Sequence, residues 1–123
     1  MQWKIKAVRK GRFHQPAADL AQRYSESVSF DRRLYRHDIA GSMAHAAALA
    51  EAGMITADDL KKIDAGLCVI EGEIAAGKFP WDPQLEDLHM NIEVALTKQI
   101  GSTGAKLHTA RSRNDQIALD LRL

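Results

Sequence analysis

The sequence predicts an all-α fold, and three observations predict it. Apolar residues recur every three or four positions, most clearly at Leu60, Ile63, Leu67, Ile70 and Ile74 and again at Leu88, Ile92, Leu96 and Ile100. That spacing puts each set on one face of a helix. Stop and start signals bracket these windows: Thr56 stands three residues before Asp59, and glycines follow at 77 and 101, where helix ends favour a left-handed residue. Two-residue alternation, the mark of a strand, is confined to Trp3–Val8. Four helices joined by short connections are the economical reading.

The first helix is expected to start after Pro16, a residue suited to a helical first turn, and to run to about Glu26. Ala17, Leu20, Ala21 and Tyr24 would form its narrow apolar stripe. Asp31 is the expected N-cap of the second helix, with Leu34, Ala40, Met43, Ala44, Ala47 and Ala48 on its packed face and an end near Gly53. The small side chains over residues 46–50 let another helix approach closely. Thr56 and Asp59 form a capping box by sequence and open the third helix, which Gly77 ends. Residues 78–83 are a turn, because each proline disfavours α geometry in the residue before it. The fourth helix is expected from about Gln84 to Gly101, and Gly101-Ser-Thr-Gly104 is a loop. A further helix beginning near Ser112 would carry Ile117, Leu119, Leu121 and Leu123 on its apolar side. No cap closes that segment, so the chain is expected to stop inside a helix.

At 123 residues the chain is long enough for one domain with a modest core, and 46% hydrophobic content argues against general disorder. Charge interrupts every apolar stretch, so neither a membrane span nor a secretory leader is expected. Cys68, the single cysteine, sits among Leu67, Val69 and Ile70 and reads as a buried small side chain. With no intrachain disulfide possible, a reducing compartment fits. Residues 1–36 hold nine basic residues against three acids, and the remainder eight against thirteen. The front end lacks interleaved aromatics, so nucleic acid is not the expected partner; a small anionic ligand or plain solvation accounts better for the charge.

Two groups of residues could carry chemistry. Glu86, His89 and Glu93 fall on one face of the expected fourth helix. An imidazole between carboxylates has a raised pKa and a fixed tautomer; the competing reading is a solvated helical face. His89 and Glu93 resemble part of a metal-ligand set, but no paired histidine or cysteine supports one, and no metal is expected. The second group is His108-Thr-Ala-Arg-Ser-Arg-Asn-Asp-Gln116. Its two guanidiniums can bind carboxylates bidentately, and the N–H groups of a helix starting at Ser112 would add to the attraction for an anion. Against this stands the reading that Asp115 and Asp120 simply pair with the arginines. Arg111 and Arg113 point in different directions, so one of them would touch a ligand. No nucleophile triad, phosphate loop or dinucleotide fingerprint is present, and no cofactor is expected.

Four runs, in order, carry a resemblance: Gly11-Arg-Phe13; Phe30-Asp31 with Asp38-Ile-Ala-Gly-Ser-Met-Ala-His45; Leu85-Glu-Asp-Leu-His-Met-Asn-Ile-Glu93; and Lys106-Leu-His-Thr-Ala-Arg-Ser-Arg-Asn-Asp-Gln-Ile-Ala-Leu-Asp120. Over essentially its whole length the chain resembles the N-terminal part of the argininosuccinate lyase family, within the fumarase/aspartase superfamily. The resemblance implies an N-terminal helical domain over residues 1–110 and, over 111–123, the start of a central helical bundle that is truncated here. It implies reversible β-elimination of argininosuccinate to arginine and fumarate in arginine biosynthesis, by a cytoplasmic homotetramer whose sites draw on three subunits. It further implies that Ser27, Asp87, His89, Arg113 and Asn114 bind substrate, that His89 is an electrostatic and positioning residue oriented by Asp87, and that Thr109 and Ser112 are supporting polar groups.

The family's principal acid/base histidine and its mobile-loop serine match nothing in this chain. No principal catalytic residue is therefore assigned, and the isolated chain is expected to lack lyase activity. A non-catalytic oligomerisation or crystallin-like relative is the alternative. Arg9-Lys10 stands where the family has Trp-Gly, and Ala105 where it has a second glycine, so Ala105 must adopt a negative φ.

Overall fold

The computed structural model describes residues 18–123. The Trp3–Val8 stretch, the Gly11-Arg-Phe13 run, the Arg9-Lys10 departure and the helix start after Pro16 lie outside the described residues. Among the described residues every regular element is helical: α1 (Asp19–Ser25), α2 (Val28–Asp31), a 3-10 turn (Arg32–Leu34), α3 (Tyr35–Glu51), α4 (Ala57–Ala75), a second 3-10 turn (Pro83–Leu85), α5 (Leu88–Ile100), α6 (Ser102–Ala105), a third 3-10 turn (Lys106–His108) and α7 (Arg113–Asp120). None of these helices is long and apolar enough to cross a membrane.

The core lies where α3, α4 and α5 meet, and the sequence stripes of α4 and α5 supply most of it. Ile63, Leu67, Ile70, Leu88 and Leu96 are fully buried, and Ile39 from α3 is nearly so. Each such side chain contributes about 1.5–3 kcal/mol of burial. Gly66 lets α5 come close, since a β-carbon there would stand 2.6 Å from Leu96 Cδ1. At the start of α4, Thr56 Oγ1 accepts from the Asp59 N–H at 3.1 Å while Asp59 Oδ2 accepts from the Thr56 N–H at 3.1 Å, the expected capping box. Gly77 ends the segment at φ 70°, a conformation that costs glycine little.

Several expectations are corrected. Cys68 is exposed; it follows Leu67 by one position, about 100° round the helix, and so faces away from the core that Leu67 fills. No residue of α1 is buried, and Leu20 and Tyr24 of its stripe are exposed. α1 makes a polar contact, from Gln22 Nε2 to the Gln84 carbonyl at 2.9 Å. Asp31 does not cap a helix of its own. It has helical φ and ψ, and its carboxylate instead accepts from Ser27 Oγ at 2.6 Å and from the Leu88 N–H at 3.2 Å. On α3 the buried positions are Asp38, Ile39, Gly41, Ser42, Ala46 and Leu49, whereas Ala40, Ala44, Ala47 and Ala48 are exposed. Alanines and polar residues give α3 no strong stripe, so its two large aliphatic residues, Ile39 and Leu49, select the packed face. The fourth helix starts at Leu88, because Glu86 takes φ 65° and Asp87 becomes the N-cap. Residues 102–105 form α6 in place of a loop, with Ala105 at φ −68°, as an alanine there requires.

Helix α7 begins where expected. Ser112 Oγ accepts from the Asn114 N–H at 3.2 Å, and Asp115 Oδ2 accepts from the Ser112 N–H at 2.8 Å. The helix packs against α3, where Gly41 leaves room that a β-carbon would take, 2.8 Å from Leu119 Cδ2. This close contact brings the α7 side chains Gln116 and Asp120 to the same place as Asp38 of α3.

Candidate functional site

A cavity of about 350 Å³ opens beside α2, α5 and α7, within the range of small-molecule sites. Ser27, Asp87 and His89, three of the residues expected at a site, line it together with Asp120. Ser27 is held from both sides: its N–H and that of Val28 donate to the Glu86 carbonyl at 2.8 and 3.0 Å, and its hydroxyl donates to Asp31. The left-handed backbone at Glu86 is what aims that carbonyl. Arg33 brings a guanidinium to the same cavity, and Phe30 and Ile117 give it apolar wall.

His89 is 4% exposed, not on a solvated face. The expectation of an imidazole between carboxylates holds, but with different carboxylates. Nδ1 lies 2.9 Å from Asp38 Oδ1 and 3.6 Å from Asp120 Oδ2. Glu86 is outside the helix, and Glu93 faces Arg113. Burial works against a charged imidazole, yet the hydrogen bond and charge of Asp38, with the charge of Asp87, outweigh it and raise the His89 pKa. The same burial, reinforced by Asp38, pushes Asp120 up to about 6. Neither oxygen of Asp120 has a hydrogen-bond partner among the described residues.

The two arginines face this cluster from the start of α7. Arg113 Nη1 donates to Gln116 Oε1 at 2.7 Å and Nη2 to Glu93 Oε2 at 3.3 Å, with Nε 3.8 Å from Asp87 Oδ2. Arg111 Nη1 donates to Ser42 Oγ at 3.1 Å, and burial pulls its pKa down. The arginines therefore pair structurally, but with Glu93, Asp87 and Ser42 and not with Asp115 or Asp120. Ala110, at φ 54°, makes the bend just before Arg111, a conformation that strains a residue with a β-carbon.

Asp87 caps α5 through the Met90 N–H at 2.7 Å; the side chain within hydrogen-bond distance of His89 is Asp38, while Asp87 acts on the ring by its charge. Asn114 is exposed on the first turn of α7 and does not line the cavity. Thr109 is exposed, its carbonyl accepting from His45 Nε2 at 2.8 Å. Ser112 serves as the cap of α7.

Sequence reading assigns Asp38 no role of its own, names Gln116 only within the second group and Asp120 only as an arginine partner, and sets none of them beside His89. They come from helices far apart in the chain, and a lone acid or amide in a helical window gives no local sign of burial. Asp38, His89 and Asp120 are the one grouping among the described residues with ligand atoms close enough, within 4.8 Å, to hold a metal ion. Asp38 Oδ1 is already engaged by His89 and Gln116, and the guanidiniums of Arg111 and Arg113 supply nearby positive charge. A hydrogen-bonded network accounts for this arrangement. Polar groups with perturbed pKa values around a cavity are the pattern of a functional site.

A model of a lyase family matches residues 11–123. The chain belongs to this lyase family. Among curated relatives, the argininosuccinate lyase of Ectopseudomonas mendocina is 57% identical over 113 residues, which is 92% of this chain and 24% of that protein. Those of Chromohalobacter salexigens and Dechloromonas aromatica are 58% and 53% identical over the same shares. The chain thus spans about a quarter of the length of these members of the lyase family.

Proposed function

We propose that this chain supplies one part of an argininosuccinate lyase site, for reversible β-elimination of argininosuccinate to arginine and fumarate in arginine biosynthesis. The observation that carries this reading is the cavity gathering Ser27, Asp87 and His89, within a chain 57% identical to an argininosuccinate lyase. Elimination leaves extra negative charge next to a carboxylate, so cationic and donor groups must hold it. Arg113 is the permanent cation for that task, and His89 joins it when its raised pKa lets the ring take up a second proton. Ser27, Asp87 and Asn114 complete the substrate contacts, and Thr109 and Ser112 support them by fixing the start of α7.

The reading includes a cytoplasmic homotetramer with sites shared among three subunits, and residues 111–123 as the start of a central bundle that follows a helical domain over 1–110. Support for the bundle comes from Leu121 and Leu123, 71% and 61% exposed at the end of α7, which need a covering surface. Asn114, outside the cavity within one chain, is available to a site completed by a neighbour.

Grafting tests the proposal. Residues 11–123 of this chain replace the matched segment of the Ectopseudomonas mendocina enzyme, and fumarate release is followed in the ultraviolet. Cleavage of argininosuccinate by the chimera, with a loss of about 100-fold or more on Arg113→Met, is the expected result. A folded chimera without activity would sink the reading and favour a non-catalytic assembly role.

A further inference from the structure

The hydrogen-bond directions around His89 can be assigned without seeing a proton. Arg113 can only donate, so the Gln116 atom it meets at 2.7 Å is the amide oxygen. That fixes the amide the other way round, and Gln116 Nε2 therefore donates to Asp38 Oδ1. Asp38 Oδ1 is then an acceptor toward its second neighbour as well, His89 Nδ1 at 2.9 Å. The chain of donors runs from Arg113 through Gln116 to Asp38, and His89 meets it from the other side.

We propose that Asp38 is the positioning residue of His89, holding the neutral ring with its proton on Nδ1 and leaving Nε2 as the nitrogen presented to the cavity. Free histidine prefers the opposite tautomer, so the assignment is specific. His89 lines the cavity, Nδ1 is taken by Asp38, and the ring is too buried to turn over without stranding both. Asp120 is the second carboxylate of the cradle, 3% exposed and without a partner for either oxygen among the described residues. The charged groups acting on His89 are Asp38 on α3, Asp87 at the start of α5, and Arg113 and Asp120 on α7. Under the proposed function, to which this adds a residue, Nε2 would be the atom that meets substrate, and Arg113 would be coupled to it through Gln116 and Asp38.

The test uses long-range proton–nitrogen spectra of the isotope-labelled 123-residue chain, titrated with acid and base and without substrate. The neutral His89 ring is expected to carry its proton on Nδ1. Asp38→Asn, whose amide oxygen still accepts, should keep that tautomer but lower the ring's proton affinity about 10-fold or more, the effect of removing a contacting charge. Asp38→Ala should release the tautomer toward Nε2–H. A wild-type ring protonated on Nε2, or an Asp38→Ala ring unchanged in tautomer, overturns the proposal. Should Asp38→Ala not fold, an unchanged proton affinity in Asp38→Asn overturns it alone. The chimera tests the proposed function separately: a folded, inactive chimera with the expected His89 tautomer in the 123-residue chain would count against that function and leave the role of Asp38 standing.

Discussion

Asp59 and Asp120 are both buried carboxylates, 7% and 3% exposed, and their surroundings act on them in opposite senses. Asp59 accepts from Lys106 Nζ at 2.8 Å, from Thr56 and from Thr103 Oγ1 at 3.3 Å. The lysine contact, first among these, holds its pKa well below the usual carboxylate range. Asp120 has no hydrogen-bond partner for either oxygen among the described residues, and burial followed by the charge of Asp38 raises it to about 6. One carboxylate fastens the start of α4 to the turn carrying Lys106. The other is held at a cost beside a histidine and a cavity, a cost that folds tolerate where a site requires it.

The largest expected effect breaks the second arrangement. Asp38→Ala strands His89 Nδ1 and Gln116 Nε2 in the interior, and should cost about 3 kcal/mol, the lower end for removing one partner of a buried pair because it also relieves Asp120. Denaturant unfolding of the variant measures it; a loss below about 1 kcal/mol would mean that the cluster is not the tight network described.

Asp120→Asn sharpens the contrast through pH. A carboxyl whose folded pKa is raised contributes stability that is present below its unfolded value near 4 and is lost as pH rises through about 6. The raised His89 acts in the same sense at higher pH, its contribution fading as pH passes its folded value. Asp59 acts in the opposite sense, its contribution present above its unfolded value and lost as pH falls through its depressed one. Asp120→Asn is therefore expected to stabilise by about 1–3 kcal/mol at pH 8 and by little at pH 4. Thermal melts at the two pH values decide it, and equal effects at both would refute the assignment.

The smallest effect belongs to the first arrangement. Thr56→Ala removes the side-chain half of the capping box and should cost about 1 kcal/mol at either pH. A pH dependence matching that of Asp120→Asn would show that the two carboxylates are not independent.

What could be read in advance divides along the same line. The α4 and α5 stripes, the Thr56 box, the Gly77 stop and the Ser112 start are written within a few residues each, and all appear as read. The site was legible as residue types, including His89 and Arg113. Its pairings were not: His89 and Asp38 are 51 positions apart, and Gln116 and Asp38 are 78. Glu86 misled because helical spacing was extended across a residue whose backbone leaves the helix.

By itself the sequence determined the all-α class, the α4 and α5 stripes and the caps at Thr56 and Ser112, since these depend on periodicity and on side chains bonding their own neighbours. Tertiary structure alone decided which acids surround His89. Three helices meet there, with Gly41 allowing α7 against α3, and burial then turns ordinary carboxylates into groups that set the charge and tautomer of a histidine. Desolvation depends on what packs around a group, and no local stretch of sequence specifies that.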